Sequence, residues 1–351
     1  MIDLYSMLPE ELEEYFVSIG EAKFRAKQMF PKLALGTSIA DMTDLSKALR
    51  EKLTRETTDT LPRVEEKLVS KIDGTVKYLF KLYDGECIES VFMKYKHGNT
   101  LCISSQVGCL MGCKFCASTI GGKVRNLLPS ELLGQVIAAS RDTGERVSNI
   151  VMMGIGEPLD NFDNVVKFLK LVNTPGGLNI GYRHISLSTC GIVPKILELA
   201  EVDLPITLSI SLHASTDEKR CEIMPINNKW NISELLSACV AYYNKTGRRI
   251  SFEYTLIHGK NDSEADAHSL ARVLTKAFSG TDAPIHVNLI RVNEVKETGF
   301  KEGSRESADK FAKLLEKHGI VATVRRRLGS DVNAACGQLR RAKHMEDNSN
   351  N

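Results

Sequence analysis

From about residue 100 onward, short runs of strand-forming residues alternate with longer stretches of helical periodicity. Repeated six times, this alternation is typical of a parallel sheet whose strands are connected by helices, and it predicts an α/β domain curled into a partial or full barrel. Ser130 is the expected cap of the first helix, after Pro129. The predicted strands are Leu101–Ser105, Asn149–Met153, His184–Ser188, Ile206–Leu212, Ile250–Ile257, His286–Ile290 and Val321–Arg325. The other predicted helices cover 163–172, 193–200, 231–243, 263–277 and 304–318.

Two regions of different character precede the alternating part. Apolar residues at helical spacing, Phe24 among them, predict short helices near the N-terminus. Two Asp-Gly pairs, Asp73-Gly74 and Asp84-Gly85, then separate three alternating runs, which predicts a small antiparallel β meander with type I′ turns. The predicted organisation is a helical domain at 1–60, a meander extension at 61–98, a barrel at 99–345 and a polar, disordered tail at 346–351.

Composition places the chain among ordinary soluble proteins. It has 351 residues, of which 42% are hydrophobic and 26% are charged. No stretch approaches the roughly 18 apolar residues of a membrane span, and the acidic N-terminus lacks the apolar core of a secretory signal. We therefore expect a cytoplasmic protein with no membrane partner, in a compartment that keeps thiols reduced.

Three cysteines, Cys109, Cys113 and Cys116, share one loop in a Cys-x3-Cys-x2-Cys arrangement. Three thiolates can hold a four-iron cluster while one iron keeps no protein ligand, so this iron can bind a small molecule and pass it an electron. Such a triplet is the signature of radical S-adenosylmethionine (SAM) enzymes, in which SAM occupies the open iron. Structural zinc and a disulfide framework are the alternatives, but zinc usually takes four ligands from separated knuckles, and disulfides need an oxidising compartment.

Other unusual residues fall at the same end of the predicted sheet. In βα architectures the active site lies at the carboxyl ends of the strands. The segment Gly154–Pro158 follows the second strand, Ser188 ends the third, Ser211–His213 ends the fourth and Asn293 follows the sixth. Glycines allow close backbone approach, and the carboxylate and carbonyls of the first segment can bind the amino group of SAM. Taken singly, each could be a turn residue, and His213 a structural histidine.

Positive charge is unevenly distributed along a chain whose formal net charge is only +2. Basic clusters flank the cysteine loop and lie near the C-terminus, where they could bind an RNA phosphate backbone or form a solvated face. The residues concerned are Lys94, Lys96, His97, Lys123, Arg125, Arg325, Arg326, Arg327, Arg340, Arg341 and Lys343.

Two further cysteines stand out. Cys102 lies on the first predicted strand, and Cys336 lies among small residues between two arginine clusters, where neighbouring positive charge favours the thiolate. Either could instead be a small buried core residue. That is the interpretation we adopt for the remaining four, Cys87, Cys190, Cys221 and Cys239.

Together these runs resemble the RlmN/Cfr family of radical SAM RNA adenine methyltransferases over nearly the whole chain. The combination of the cysteine triplet with a distant Ala-Cys-Gly-Gln-Leu is highly specific. The matching runs are Ile88–Phe92, Cys102–Cys109, the triplet loop, Met152–Pro158, Leu187–Thr189, Ile210–Ala214, Met224–Asn227 and Ala335–Leu339.

The resemblance implies a partial (βα)6 radical SAM barrel and a two-cysteine methylation. In the family, one SAM methylates the thiolate matching Cys336, and a second SAM yields a 5′-deoxyadenosyl radical that takes hydrogen from the S-methyl group. The resulting carbon radical adds to adenine and links RNA to protein. The position matching Cys102 resolves this adduct by forming a disulfide with Cys336, and the position matching Glu89 accepts the ring proton.

The same resemblance implies cofactors and partners. These are one [4Fe-4S] cluster held by the triplet, two SAM molecules per turnover, an external flavodoxin-like electron donor and an RNA-binding role for the N-terminal helices. The implied reaction methylates C2 of adenosine 2503 in 23S rRNA and, with a second specificity, adenosine 37 in tRNA. The SAM contacts carry over to Gly156, Glu157, Ser188, Ser211, Leu212, His213 and Asn293.

Two departures from the family pattern bear on the reaction. Asn333 stands where the family usually has aspartate, and Arg291 where RlmN-type proteins usually have proline. Arginine at that position occurs in the Cfr branch, which methylates C8 of the same adenosine and confers antibiotic resistance, whereas Pro158 and residues 115–122 favour the RlmN branch. We therefore favour C2 over C8. A non-catalytic iron–sulfur RNA-binding protein is the further alternative.

Overall fold

One ten-stranded sheet organises the chain in the computed structural model, which describes residues 2–293, 299–332 and 339–340. The strands are β1 (Arg63–Val69), β2 (Val76–Lys81), β3 (Cys87–Tyr95), β4 (Gly98–Cys102), β5 (Gln106–Gly108), β6 (Lys123–Asn126), β7 (Asn149–Met152), β8 (Ile185–Thr189), β9 (Thr207–Ser211), β10 (Ile250–Leu256), β11 (His286–Arg291) and β12 (Val321–Val324). The sheet order is β1-β2-β3-β4-β7-β8-β9-β10-β11-β12. Along this order, strands β1 to β4 pair antiparallel, and the strands from β4 through β7 to β12 pair parallel.

The helices are α1 (Pro9–Ser18), α2 (Phe24–Ala34), α3 (Lys47–Glu56), α4 (Pro129–Thr143), α5 (Phe162–Asn173), α6 (Val193–Val202), α7 (Asp217–Ile223), α8 (Ile232–Thr246), α9 (Glu264–Ala277) and α10 (Arg305–Lys317). From α4 onward they share one apolar core with the parallel strands. Within the described part of the chain, no helix is long and apolar enough to cross a membrane.

Successive residues of the parallel strands face opposite sides of the sheet. On β11, for example, Val287 and Leu289 belong to the apolar core beneath the helices, while His286 and Asn288 line an internal cavity. No pairing joins β4 to β12 among the described residues, so the parallel part is an open barrel, and it has a polar interior.

The predicted order of strands and helices is confirmed, with boundaries shifted by up to three residues. The first barrel strand is shifted by three residues at both ends, because it is β4 rather than Leu101–Ser105. The three-stranded meander is present, but β3 also pairs with β4, so the meander and the barrel form one continuous sheet. Two elements were not predicted: α7, and a separate two-stranded sheet of β5 and β6.

The N-terminal helices have their own apolar core, which includes Leu171 of α5, and the N-terminal segment also hydrogen-bonds to the start of α4. Phe24 is an exception to the predicted pattern, because it is 58% exposed. Ser130 does not cap α4: the Glu131 carboxylate accepts from the Leu128 amide (2.9 Å) instead. The Ser130 hydroxyl donates to Asp3 (2.6 Å) and accepts from Thr60 (2.8 Å), which makes it part of the docking contact.

Candidate active site

A cavity of about 260 Å³ opens at the carboxyl ends of the barrel strands. It contains the three triplet cysteines and most of the residues predicted to contact SAM, so the predicted convergence on one end of the sheet holds for these side chains. The predicted residues that line it are Cys109, Cys113, Cys116, Gly156, Glu157, Ser188, Ser211, His213 and Asn293.

The cysteine loop lies between β5 and β6, which fold back on each other and fix its two ends. The Cys109 amide donates to the Gly122 carbonyl (3.0 Å), closing the loop at its base. Burial raises the pKa of the Cys109 thiol to about 12 and also raises the pKa of Cys113. Buried thiols of this kind become thiolates when a metal binds them.

The three thiols suit a four-iron cluster. In such a cluster each thiolate binds a different iron, so three thiolates leave one iron without a protein ligand. Within the described ranges, no three His, Cys, Asp or Glu side chains form a group that could hold a single metal ion. Three thiols that line one cavity from a single loop match this ligand set.

The segment after β7 is fixed against β5. Gly156 has φ +106°, and a Cβ there would lie 2.6 Å from the Cβ of Gln106, so only glycine allows this approach. The Glu157 amide donates to the Gln106 side-chain oxygen (2.9 Å). The buried Glu157 carboxylate accepts from the amides of Leu159 (3.0 Å) and Cys190 (2.7 Å). Burial raises the pKa of Glu157, and these hydrogen bonds oppose the rise.

His213 is a neutral imidazole of defined tautomer. Its Nδ1 accepts a hydrogen bond from the Thr255 amide (2.9 Å), which puts the ring proton on Nε2. The ring packs edge-on against Phe115, which also lines the cavity, with centroids 4.9 Å apart. Burial, assisted by the positive charge of Arg220, lowers the pKa of His213 to about 3. The residue therefore offers an N–H donor without positive charge.

Arg220 is the main site residue that the sequence did not indicate. Its guanidinium is fully buried and donates to the carbonyls of Leu212 (3.1 Å), Cys190 (2.7 Å) and Ser211 (3.1 Å). It also donates to the Asn227 side chain (2.9 Å), and Asn227 belongs to a run that resembles the family but had no assigned role. Arg220 thus ties together the ends of β8 and β9, which supply cavity residues.

Two predicted site residues lie just behind the cavity wall. The Leu212 side chain is buried in the barrel core, and its backbone carbonyl accepts a hydrogen bond from Arg220. Cys102 is buried in a small apolar cluster with Val91 and Met93, against which the cavity-lining Met153 packs. No disulfide joins any two of the described cysteines, and Cys336 lies outside the described residues.

Glu89 lies outside the cavity, in a buried ion pair. Its carboxylate is 3.1 Å from Lys77 Nζ, and both side chains are at most 2% exposed. Its other oxygen accepts from the Arg340 amide (2.8 Å). Glu89 therefore contacts the chain just beyond the segment that contains Cys336.

The segment before Cys336 is also attached to the meander. The Gly329 amide donates to Asp73 (2.9 Å), and Asp331 accepts from the Ser70 hydroxyl (2.7 Å). Both flanks of residues 333–338 therefore contact the antiparallel part of the sheet, the first at the turn between β1 and β2 and the second at β3. Asn333, one of the two departures from the family pattern, lies within those undescribed residues.

Arg291, the other departure, does not line the cavity, although its neighbours Ile290 and Val292 do. Its guanidinium forms an ion pair with Glu302 (3.1 Å), which Arg327 also joins (3.1 Å).

A barrel with a three-cysteine loop at the carboxyl end of its first strand defines a radical SAM enzyme, and comparison with known proteins agrees. Residues 103–271 match the model of the radical SAM superfamily, and residues 2–58 match that of the ribosomal RNA large subunit methyltransferase N-terminal domain. Such enzymes use a [4Fe-4S] cluster and SAM.

The relatives identify the family. Two relatives are named "Probable dual-specificity RNA methyltransferase RlmN". The protein from Clostridium botulinum (strain Eklund 17B / Type B) is 54% identical to this chain, and the match covers 95% of this chain and 94% of that protein. The protein from Alkaliphilus metalliredigens is 51% identical, and the match covers 99% of this chain and 97% of that protein. The crystal structure of a radical SAM methyltransferase from Sphaerobacter thermophilus, 40% identical, superposes with a TM-score of 0.90 over 96% of this chain and 99% of that one. The chain belongs to the RlmN family of radical SAM dual-specificity RNA methyltransferases.

Proposed function

We propose that this RNA methyltransferase acts on C2 of adenosine 2503 in 23S rRNA and on adenosine 37 in tRNA, in the cytoplasm. The single observation that carries the proposal is the cavity in which the cysteine triplet meets Glu157, Ser188, Ser211 and His213. Two RNA substrates agree with the "dual-specificity" in the names of the relatives.

In this cavity, hereafter the SAM cavity, the protein's own groups would bind and orient SAM. Each turnover would use two SAM molecules. A [4Fe-4S] cluster on Cys109, Cys113 and Cys116 would supply the electron for SAM cleavage, received from a flavodoxin-like donor. The Ser188 and Ser211 hydroxyls, 3.4 Å apart on neighbouring strands, and the Nε2–H of His213 offer hydrogen bonds without adding positive charge beside the cationic sulfonium.

We further propose that Cys336 carries the methyl group, that Cys102 releases the product through a disulfide with Cys336, and that Glu89 accepts the ring proton. The strand register supports this grouping: Cys102 pairs with Val91, and Glu89 lies two residues before Val91 on β3, so both side chains face the same side of the sheet. Arg340 bonds to Glu89 just beyond the segment that contains Cys336.

Nucleoside analysis tests the position of methylation. The chain is expressed in a host that lacks its own enzyme, and rRNA and tRNA nucleosides are analysed by mass spectrometry. We expect 2-methyladenosine; 8-methyladenosine without it would establish the Cfr-type reaction instead. Arg291, the residue shared with the Cfr branch, is bound to Glu302 and does not line the cavity, which favours C2.

Replacing the carrier thiol separates an enzyme from a non-catalytic iron–sulfur RNA-binding protein. Cys336→Ala should abolish methylation and leave the absorption spectrum of the anaerobically prepared cluster unchanged. Cys239→Ala, which removes a buried thiol on α8 away from the cavity, is the matched control and should remain active. Methylation by the Cys336→Ala protein would refute the two-cysteine mechanism.

A further inference from the structure

A second cavity, of about 750 Å³, opens at the opposite end of the barrel. Its mouth is formed where the parallel strands begin: Lys96 and His97 precede β4, Arg183 precedes β8, and Arg249 directly precedes β10. Enzymes of this architecture usually bind ligands at the other end of the strands. A cavity of ligand size at the amino-terminal end therefore requires its own explanation.

The charges around this mouth are almost all positive. Lys96, Arg183 and Arg249 are exposed, and none of them forms a salt bridge with a carboxylate of the described residues. The one acidic residue in the described lining is Glu253, which is buried deep in the barrel, where burial raises its pKa. Uncompensated cations around an open cavity attract a polyanion.

An aromatic surface lies beside these cations. The Tyr95 and His97 rings stack with centroids 5.1 Å apart and 16° between their planes, and both residues line the mouth. Because His97 is exposed, a ring face is available to an unstacked base. Aromatic faces among cations are the usual means of binding single-stranded nucleic acid.

The two cavities are neighbours inside the barrel. Three residues, Met153, Glu253 and Arg325, line both of them. Below this shared wall the interior is polar and ordered: Asn288 donates to Glu253 (2.7 Å), and the Ser251 hydroxyl lies 2.9 Å from His286 Nδ1. The barrel interior therefore connects the basic mouth to the wall of the SAM cavity.

We propose that the RNA enters the barrel at its amino-terminal end. The phosphates that flank the target adenosine bind Lys96, Arg183 and Arg249 at the mouth, and the unstacked adenine extends inward to the wall shared with the SAM cavity. This inference rests on the proposed function, because it takes RNA as the substrate. It adds the direction of entry and the residues that hold the backbone.

Charge reversal at the mouth tests the proposal. Binding of an unmodified tRNA transcript is measured by fluorescence anisotropy at several salt concentrations, with cluster-containing protein, for Arg183→Glu, Arg249→Glu and the double variant. Each single change should weaken binding about tenfold and reduce the slope of log K against log salt by about one. Arg272→Glu, the same charge change on an exposed position of α9, is the control and should bind as wild type.

Iron content and circular dichroism of the variants show whether the barrel is intact. An intact double variant that binds tRNA with wild-type affinity and salt dependence would overturn the proposed entry route. Failure of the proposed function would appear differently, as a wild-type protein that binds tRNA but methylates no adenosine. If Arg272→Glu weakened tRNA binding as much as the changes at the mouth, the proposed entry route would also be overturned, since binding would then follow overall charge.

Discussion

Replacing Lys77 by methionine tests how much the buried ion pair between Lys77 and Glu89 contributes to stability. Lys77 and Glu89 are buried on neighbouring strands, 3.1 Å apart, and neither lines a cavity described above. Methionine keeps most of the volume of lysine but removes the charge, so Glu89 loses its cationic partner in the low-dielectric interior. Glu89→Gln removes the opposite charge and keeps an oxygen that can accept from the Arg340 amide.

The expected energies follow from the burial of both groups. Each single change breaks the buried ion pair from one side and should lower the free energy of unfolding by about 3–5 kcal/mol. The double variant leaves no buried charge and should lose only about 0–2 kcal/mol relative to wild type. The coupling energy between the two positions should therefore be at least about 4 kcal/mol.

Urea denaturation in anaerobic buffer, followed by circular dichroism, measures all four proteins. Single-variant losses that simply add in the double variant would refute the ion-pair argument. The same set tests the role of Glu89, because Lys77→Met with Glu89→Gln is stable but has no carboxylate. If Glu89 is the proton acceptor, this variant should fold and bind SAM yet methylate no RNA. Full methylation would exclude Glu89 from that role.

Three further predictions concern the SAM cavity. Gly156→Ala should weaken SAM binding, measured by calorimetry, about 10- to 100-fold because its Cβ meets Gln106, whereas Gly20→Ala, at φ +83° with open space around it, should bind SAM as wild type. Arg220→Lys loses the planar fork that reaches four oxygens, so SAM should bind at least about tenfold more weakly with unchanged iron content. The pKa of His213 is about 3 in the fold and near 6.5 when unfolded, so unfolding takes up a proton below pH 6.5 and stability falls as the pH falls. Between pH 6.5 and pH 5, wild type should lose about 2 kcal/mol more than His213→Gln in urea denaturation; equal losses would contradict the assignment.

The sequence predicts those parts of the fold whose local pattern and tertiary environment agree. Strands such as β10 are rich in β-branched and aromatic residues and lie between helical stretches, so their order along the chain could be predicted from the sequence. The β5–β6 sheet could not, since its strands are only three and four residues long and are separated by the cysteine loop. Ser130 was misassigned because a serine near a helix start favours capping, while the contact that uses it, with Asp3, is distant in sequence.

The candidate site was also predictable only where its residues share a local sequence pattern. Cysteine spacing and strand ends located the residues that line the cavity around the cysteine triplet, because both are local features. In the sequence, Arg220 is one of several charged residues of a short segment. Only the fold shows that its guanidinium donates to four oxygens. Arg183 and Arg249 are far apart in sequence, and the parallel register of β8, β9 and β10 places them at one end of the barrel.

The two ends of the barrel differ in charge, and this difference suits the chemistry of the two substrates. SAM is a cation, and the cavity that would hold it contains Glu157, a neutral His213 and thiols that become anionic on iron. RNA is a polyanion, and the opposite mouth presents Lys96 and Arg183. The adenine base and its ribose are uncharged, so the adenosine can extend from one environment to the other while its phosphates stay at the mouth. Entry beside the cysteine loop would bring phosphate charge close to the cysteine thiolates, and entry at the amino-terminal end avoids this.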